Sequence, residues 1–234
     1  MPVVSFANPK GGSGKTTSAL LLACELALKK SVCIIDADPR HPITKWWQEG
    51  KRFEDANLNV ISSDSEQTIV EDIERAVAQY PFVLIDLEGV ASKRAAFAIS
   101  QSDLVIIPTQ EQQQDADEAL TVMKEIKNLE KISRRTLPFS ILFTRTKVIA
   151  KSRTARFIAS QFISSKSIDC FRTEIHERDA FSALFTTGKT IRNLDQTMNN
   201  GVPKAIENVE KYAKEFVEKL IRIQKKEGEC YERS

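Results

Sequence analysis

The feature that most constrains this sequence is the glycine-rich stretch Lys10-Gly11-Gly12-Ser13-Gly14-Lys15-Thr16-Thr17, which follows a short apolar run and opens an amphipathic one. Glycines allow backbone N–H groups to turn inward around phosphate oxygens, and a helix that begins near Lys15 adds its positive end. Lys15 is then placed to reach the β and γ phosphates, and the Thr16 hydroxyl to bind Mg²⁺. The stretch predicts a strand, a phosphate loop and a helix, with Gly11 to Thr17 binding a nucleotide.

This loop departs from the plain pattern G-x-x-x-x-G-K-[ST], because Pro9 stands where the first glycine is expected and Lys10 is added in front. The pattern K-G-G-x-G-K-T-T resembles the deviant Walker A motif of the ParA/MinD superfamily of ATPases. The resemblance implies ATP and Mg²⁺ as cofactors, and a catalytic Lys10 that crosses a dimer interface to the other protomer's nucleotide. The alternative is a glycine-rich turn that only starts a helix, and the lysines and threonines in register after the apolar run argue against it.

Composition narrows the class of protein but not its partners. The chain of 234 residues carries 34 Lys and Arg against 32 Asp and Glu, and this net charge of +2 does not by itself indicate nucleic-acid binding. Its four cysteines, Cys24, Cys33, Cys170 and Cys230, lack metal-ligand spacing and are expected to be reduced. No basic leader with a long apolar segment opens the chain, and no apolar run approaches about 18 residues, so we expect a cytoplasmic protein.

Two further apolar strands end on carboxylates: one ends at Asp36, two residues before Asp38, and the other ends at Asp86 in the form of a Walker B strand. Ligands of open α/β sheets lie outside the carboxyl ends of the strands, so we expect these carboxylates beside the phosphate loop. The resemblance implies that Asp38 positions the attacking water, and that Asp36 and Asp86 hold Mg²⁺ together with Thr16. An aspartate pair that only caps the turn before Pro39 is the alternative for the first strand.

Hydrophobic periodicity predicts the remaining elements. The predicted strands are Val3–Ala7, Ser31–Asp36, Leu58–Ile61, Phe82–Asp86, Asp103–Thr109, Leu137–Phe143 and Cys170–Ile175. The predicted helices are Thr16–Lys30, His41–Gln48, Ser65–Tyr80, one that runs to about Glu130, and Val202–Lys226, whose apolar stripe is interpreted as packing onto the sheet. This order predicts one α/β domain over residues 1–234, with a doubly wound, mostly parallel sheet, helices on both faces and the deviant P-loop NTPase architecture.

The sharpest charge asymmetry lies between Lys131 and Ile168, where basic residues occur without any acidic one. A solvated basic face is the usual explanation of such a run. Phosphate contacts are the alternative, and the resemblance favours them because the ATP dimer of ParA-like proteins binds DNA non-specifically. The predicted DNA-binding residues, including two beyond this run, are Arg145, Lys147, Lys151, Arg153, Arg156, Lys189 and Arg192.

The resemblance thus implies an ATPase that partitions the DNA of a plasmid or other replicon. An ATP-dependent homodimer would bind DNA non-specifically and would be released when a ParB-like centromere-binding protein stimulates an otherwise slow hydrolysis to ADP and phosphate. The expected location is the cytoplasm, at the nucleoid, without a membrane partner.

Three alternatives remain open. A conjugation accessory ATPase that binds transfer-origin DNA is the first, because Asp115–Leu120 and His176–Phe181 resemble the conjugation-associated branch. A MinD-like positioning ATPase would need lipid binding, which the polar tail Lys225–Ser234 does not support. A metabolic P-loop enzyme would need a small-molecule pocket, for which the sequence shows no motif.

Overall fold

Seven parallel strands lie side by side in the part of the chain that the computed structural model describes, which is residues 1–50, 57–149, 151–165, 167–197 and 201–231, with side chains to residue 225. The strands are β1 (Val3–Phe6), β2 (Val32–Ala37), β3 (Leu58–Ser62), β4 (Phe82–Leu87), β5 (Leu104–Thr109), β6 (Phe139–Thr146) and β7 (Ile175–His176). Their order is β3-β2-β4-β1-β5-β6-β7, and each pair of neighbours is parallel. The predicted α/β class is confirmed.

The described ranges contain eight α-helices, which cover both faces of the sheet. They are α1 (Lys15–Ala27), α2 (Pro42–Glu49), α3 (Ile69–Gln79), α4 (Lys93–Ser100), α5 (Gln113–Ser133), α6 (Arg153–Ser164), α7 (Asp179–Thr187) and α8 (Val202–Tyr231), with a 3-10 turn at Ile191–Asn193. Buried side chains of α1, α2, α7 and α8 form one apolar layer, and those of α3, α4, α5 and α6 form the other. This is the predicted doubly wound arrangement.

The central strands are apolar throughout because helices cover both sides of the sheet. Ile34 and Leu84 pack in the layer with α1 and α8, whereas the next residues along the same strands, Ile35 and Ile85, pack in the layer with α3 and α4. Successive side chains of a strand point to opposite faces, so a strand covered on both sides reads as a continuous apolar run. That run is the signal from which the strands were predicted.

The apolar stripe of α8 packs as predicted: Val209, Tyr212, Phe216 and Leu220 are all buried in the core. The Tyr212 ring lies edge-on to Phe171, with 5.5 Å between ring centroids. Such aromatic pairs add to the area that they bury. The stripe is thus committed to the fold.

The predicted strand over Cys170–Ile175 is observed only at its two ends. Cys170 forms one bridge to Ile141 of β6, and β6 is next paired at Ile175 and His176, so the residues between them are not in a strand. The backbone N–H groups of Arg172 and Thr173 instead donate to the carboxylate of Glu215 on α8, at 2.7 Å each. A side chain distant in sequence therefore satisfies the donors that a strand would have used. The helices α4 and α7 were also not predicted.

The described cysteines, Cys24, Cys33 and Cys170, form no disulfide. The Cys230 side chain and most of the polar tail lie outside the described side chains. Among the described residues, no helix combines the length and apolarity needed to cross a bilayer.

Strand register places the predicted acidic residues at one edge of the sheet. Asp86 on β4 lies opposite Asp36 on β2 and opposite Phe6 on β1. The chain leaves β1 at Phe6 and enters the phosphate loop. The loop and both carboxylates therefore share the carboxyl end of the central strands, as open α/β sheets require of a ligand site.

Candidate functional site

The phosphate loop joins β1 to α1 and depends on two left-handed glycines. Gly12 has φ 80° and Gly14 has φ 95°, a region that side chains with a Cβ rarely adopt. At Gly14 an added Cβ would also lie 3.1 Å from the Thr144 side chain on β6. Gly11 has neither constraint. Two of the three predicted glycines are thus required by the backbone itself.

Side chains that sequence reasoning missed hold this loop in place. Asn8 is fully buried; its side chain accepts from the N–H of Lys10 at 2.9 Å and donates to the Pro108 carbonyl at 2.8 Å. Thr144 donates its hydroxyl to the Ser13 carbonyl at 2.6 Å. Asn8, which follows β1, ties the loop to β5, and Thr144 ties it to β6, so the loop is fixed by the sheet. An asparagine at the end of a strand was their one sequence signal.

Lys15 begins α1 and turns back over the loop. Its Nζ donates to the carbonyl of Lys10 at 3.3 Å, and the residue is 6% exposed. Burial lowers the pKa of Lys15, while Asp86 and Asp38 act in the opposite direction. A cation held in this way can meet phosphate oxygens without first being drawn out of solvent.

Lys10 forms an ion pair with Asp115 of its own chain. The Nζ of Lys10 lies 2.6 Å from Oδ2 of Asp115, which is fully buried at the start of α5. The other oxygen of Asp115 has no hydrogen-bond partner among the described residues. The lysine predicted to act across a dimer is therefore held within its own protomer in this structure.

The two aspartates of the β2 exit have different surroundings. Asp36 accepts from the backbone N–H of Thr44 at 2.7 Å and so caps the first turn of α2, while its other oxygen has no partner among the described residues. Asp38 borders the cleft above the phosphate loop, and its carboxylate accepts from the backbone N–H of Arg40 at 2.9 Å. The predicted cap of the turn at Pro39 is therefore made by Asp38, whereas Asp36 caps α2 and keeps one carboxylate oxygen without a partner among the described residues.

Asp86, near the carboxyl end of β4, is the Walker B aspartate predicted from the sequence. It is fully buried, and neither carboxylate oxygen has a well-formed hydrogen bond within the described ranges. Burial raises the pKa of Asp86 to about 7, which the nearby Thr16 hydroxyl partly offsets and Asp36 reinforces. An orphaned buried carboxylate beside a threonine hydroxyl suits Mg²⁺, which takes few protein ligands and completes its shell with phosphate and water.

A cleft of about 480 Å³ opens above the loop. It brings together Gly11, Gly12, Gly14, Lys15, Thr16, Thr17 and Asp38, all predicted from sequence. The cleft is also lined by residues 175–179, which comprise β7 and the residues after it, and by Phe181 and Phe185 of α7. The two phenylalanines supply apolar surface on which a flat base can pack.

Arg145, one of the predicted DNA-binding residues, borders this cleft. Its guanidinium lies 4.0 Å from where a Cβ would sit at Gly12, and it is 3.8 Å from the Glu177 carboxylate. Its backbone is left-handed, with φ 52°. Strained non-glycine residues cluster at ligand sites, and the Arg145 side chain lies beside the phosphate loop.

Two other predicted DNA-binding residues are held by carboxylates. Lys151 lies 2.7 Å from Glu111 and 2.5 Å from Glu174, and both carboxylates raise the pKa of Lys151 against the effect of burial. Arg192 lies 2.9 and 2.8 Å from two carboxylates, one on α1 and one on α8. All four acidic partners lie outside the basic run, so they cannot be found by inspecting that run alone.

The remaining predicted DNA-binding residues, Lys147, Arg153, Arg156 and Lys189, are exposed. None of them has an ion-pair partner among the described residues. They belong to the β6–α6 loop, to the first turn of α6 and to the loop after α7.

A second cavity, of about 380 Å³, lies beside β7 and is called the basic hollow below. The sequence reasoning missed it. Arg172, Arg178, Lys204 and Lys211 line it, and two glutamates lie among them. The buried Nε of Arg178 has no hydrogen-bond partner within the described ranges. These cations come from the β7 region and α8, so their proximity depends on tertiary packing. His176 and Arg178 line both this hollow and the cleft above the phosphate loop, which is called the nucleotide cleft below.

Comparison with known protein families places this architecture. The family model described as "VirC1 protein" matches residues 1–226. The chain belongs to the VirC1 family. Protein ParA of Rhizobium radiobacter is 34% identical to this VirC1-family chain over 221 residues, which cover 94% of this chain and 98% of that protein. The resemblance predicted from the phosphate loop, to ParA-type proteins with conjugation-associated relatives, is confirmed.

Two further relatives are informative. Protein virC1 of Rhizobium rhizogenes is 28% identical over 237 residues, with complete coverage of both chains. A solved plasmid partition protein of Borrelia burgdorferi B31, bound to AMPPNP, superposes with a TM-score of 0.67 at 22% identity, over 92% of this chain and 99% of that one. The VirC1-family chain is thus a ParA-type P-loop NTPase in fold and family.

Proposed function

We propose that this chain is an ATPase that moves or retains DNA, with ATP-driven partition of a plasmid or other replicon as its activity. The observation that carries the proposal is the convergence of the phosphate loop, Lys15 and Asp38 in one cleft, with the orphaned carboxylate of Asp86 buried next to Thr16, which lines that cleft. A neighbour of the same fold holds a nucleotide analogue. ATP is accordingly the proposed ligand.

Each residue has a distinct proposed role. Gly11 to Thr17 bind the phosphates, and Lys15 offsets negative charge on the γ-phosphoryl group. Lys10 adds a second positive charge from the other protomer of an ATP-dependent homodimer, after it leaves Asp115. Asp38, at the cleft edge, orients the attacking water. Without a partner that completes this arrangement, hydrolysis to ADP and phosphate is expected to be slow.

Thr16, Asp86 and the free oxygen of Asp36 are the proposed holders of Mg²⁺. The metal supplies charge compensation between the β and γ phosphates when it is bound. In the part of the chain that the structure describes, no three His, Cys, Asp or Glu side chains form a metal cluster by themselves. This fits an ion that depends on the nucleotide for most of its shell.

DNA binding is proposed for the exposed cations Lys147, Arg153, Arg156 and Lys189, together with the basic hollow beside β7. Contacts of this kind are made to phosphates and carry no sequence information. Arg145 would serve the nucleotide first, and Lys151 and Arg192 would reach a phosphate only after leaving their carboxylates. The proposed partners are therefore non-specific DNA and a ParB-like protein, and the proposed location is the cytoplasmic nucleoid.

A DNA-binding assay with ATP, ADP and no nucleotide tests the proposal. We expect ATP to cause dimerisation and tight, salt-sensitive binding to duplexes of unrelated sequence, with release after hydrolysis. Equal DNA affinity in all three states would rule out an ATP-controlled DNA switch.

The second candidate is a conjugation accessory ATPase, which the VirC1 family match favours directly. It would use the same cleft, but the purified protein would protect a defined transfer-origin sequence. Footprinting on a replicon that carries both its partition and transfer regions separates the two candidates. Uniform protection supports partition, and a discrete footprint supports transfer.

A further inference from the structure

The outer face of α6 carries apolar side chains that the fold does not need. The helix packs through Ala155, Ile158, Ala159 and Phe162 and is capped by Ser152. Its Phe157 is nevertheless 61% exposed. The buried residues account for the stability of the helix, so the exposed ring requires another explanation.

Exposure of this kind is concentrated in one stretch. Six large apolar side chains of the described chain are more than 60% exposed, and four of them lie between residues 148 and 163. These four are Val148, Ile149, Phe157 and Ile163. Scattered single residues would be ordinary, whereas four within one loop and the following helix mark an interaction site.

The same stretch is basic. From Lys147 to Ser164 the sequence contains no acidic residue, and Arg153 and Arg156 have no ion-pair partner among the described residues. We define the α6 surface as Val148, Ile149, Arg153, Arg156, Phe157, Ser160 and Ile163. It combines free positive charge with exposed apolar area.

We propose that the α6 surface docks a segment of a partner protein that carries both acidic and large apolar side chains. Charge complementarity selects the acidic residues, and the exposed side chains require apolar ones. DNA alone would use the arginines and leave Phe157 and Ile163 in water. A second copy in a two-fold dimer would bring this basic patch against itself.

A membrane fits the geometry less well. Phe157 and Ile163 lie about 120° apart around the helix axis and about 9 Å apart along it, with Ser160 between the two lines. An interfacial helix needs a continuous apolar face, and here Ser160 interrupts the face between the two side chains. A folded or extended peptide segment can contact both sides of the helix.

The surface also has a consequence for DNA release. Arg153 and Arg156 are shared with the proposed DNA surface, so the partner segment and DNA would compete for them. This consequence rests on the proposed DNA binding, whereas the docking surface itself does not.

Photocrosslinking identifies the occupant. Phe157 or Ile163 is replaced by p-benzoylphenylalanine in the full chain, expressed in its own source cells, and crosslinked peptides are sequenced. Ile132, which is 80% exposed on α5, is the control position. We expect positions 157 and 163 to capture the same acidic, apolar segment of another protein, and position 132 not to capture it. Capture of only a second copy, only DNA or only lipid, or no capture, overturns the proposal.

The captured segment, made as a synthetic peptide, is then the probe for affinity. Phe157→Ser and Ile163→Ser should each weaken peptide binding about tenfold while leaving DNA affinity unchanged. Arg153→Gln should weaken both, and Ile132→Ser neither. Weaker DNA binding with unchanged peptide binding in the serine variants would show that the face serves DNA alone and would overturn the proposal. Vesicles of phosphatidylglycerol and phosphatidylcholine in equal amounts test the lipid alternative, and binding that depends on Phe157 would overturn the protein partner.

ATP hydrolysis and ATP-dependent DNA binding are measured separately on the unmodified chain. If the unmodified chain lacks those activities but binds the peptide, the proposed function is contradicted and the docking surface is not.

Discussion

The phosphate loop and the basic stretch around α6 were both predicted from local sequence, and the structure treats them differently. Every predicted residue from Gly11 to Thr17 lies in or beside one cleft. Of the seven predicted DNA-binding cations, in contrast, two are held by carboxylates and one borders the nucleotide cleft. The phosphate loop can be predicted from eight consecutive residues, because those residues alone form it. Whether a cation of a charge run is available to bind DNA depends on acidic partners that other elements supply.

The strongest way to break this comparison is to remove the cation at the centre of the loop. Lys15→Gln should weaken ATP binding about 1000-fold, because two charge-assisted contacts to phosphate are lost. Titration with a fluorescent ATP analogue measures the loss. Lys29→Gln, at the solvent-exposed end of α1, is the matched control. A Lys15 variant that binds ATP normally would show that the cleft holds something else.

Asp38→Ala separates binding from hydrolysis. We expect about a 100-fold lower rate of ATP hydrolysis with ATP affinity retained, because only the water-positioning group is removed. The dimer should then remain on DNA after ATP is added. The measurements are phosphate release and the lifetime of the DNA complex. Hydrolysis at the normal rate would mean that another residue holds the water. The first candidate would be Glu88, in the loop after β4, which is close enough to Lys15 to raise the pKa of that lysine.

Lys10→Ala tests whether the ion pair between Lys10 and Asp115 stabilises the folded protein. The change leaves the buried Asp115 carboxylate without its partner and should lower the free energy of unfolding by about 2 kcal/mol. Chemical denaturation of the nucleotide-free protein gives this value. Adding Asp115→Asn should restore most of the stability but not the catalytic role of Lys10. An unchanged midpoint in the single variant would mean that the ion pair contributes nothing.

The smallest effect sharpens the other side of the comparison. Lys147 and Lys151 lie in the same loop, but only Lys151 is paired with carboxylates. Lys147→Gln should reduce the salt dependence of DNA binding by about one unit without destabilising the protein. Lys151→Gln should leave that slope unchanged and cost about 1 kcal/mol of stability. A lower salt dependence with Lys151→Gln and an unchanged one with Lys147→Gln would mean that Lys151 contacts DNA despite its carboxylate partners.

The sequence predicted the sheet well because buried parallel strands are continuous apolar runs. It failed at residues 171–174, where the carboxylate of Glu215 accepts hydrogen bonds from backbone N–H groups that local sequence assigns to a strand. In the site, glycine spacing predicted the phosphate loop, but not the Asn8 and Thr144 side chains that fix it. Their contacts run between strands that are neighbours only in the folded sheet, and the basic hollow beside β7 was missed for the same reason.

The wall shared by the nucleotide cleft and the basic hollow has a thermodynamic consequence. His176 and Arg178 line both cavities, so a change in their position affects two binding equilibria at once. Linkage is reciprocal: if ATP raises the affinity for DNA at this hollow by some factor, DNA must raise the affinity for ATP by the same factor. Under the proposed DNA binding, DNA would be an effector of nucleotide binding, and the nucleotide affinity of the free protein would understate the affinity of the DNA-bound protein.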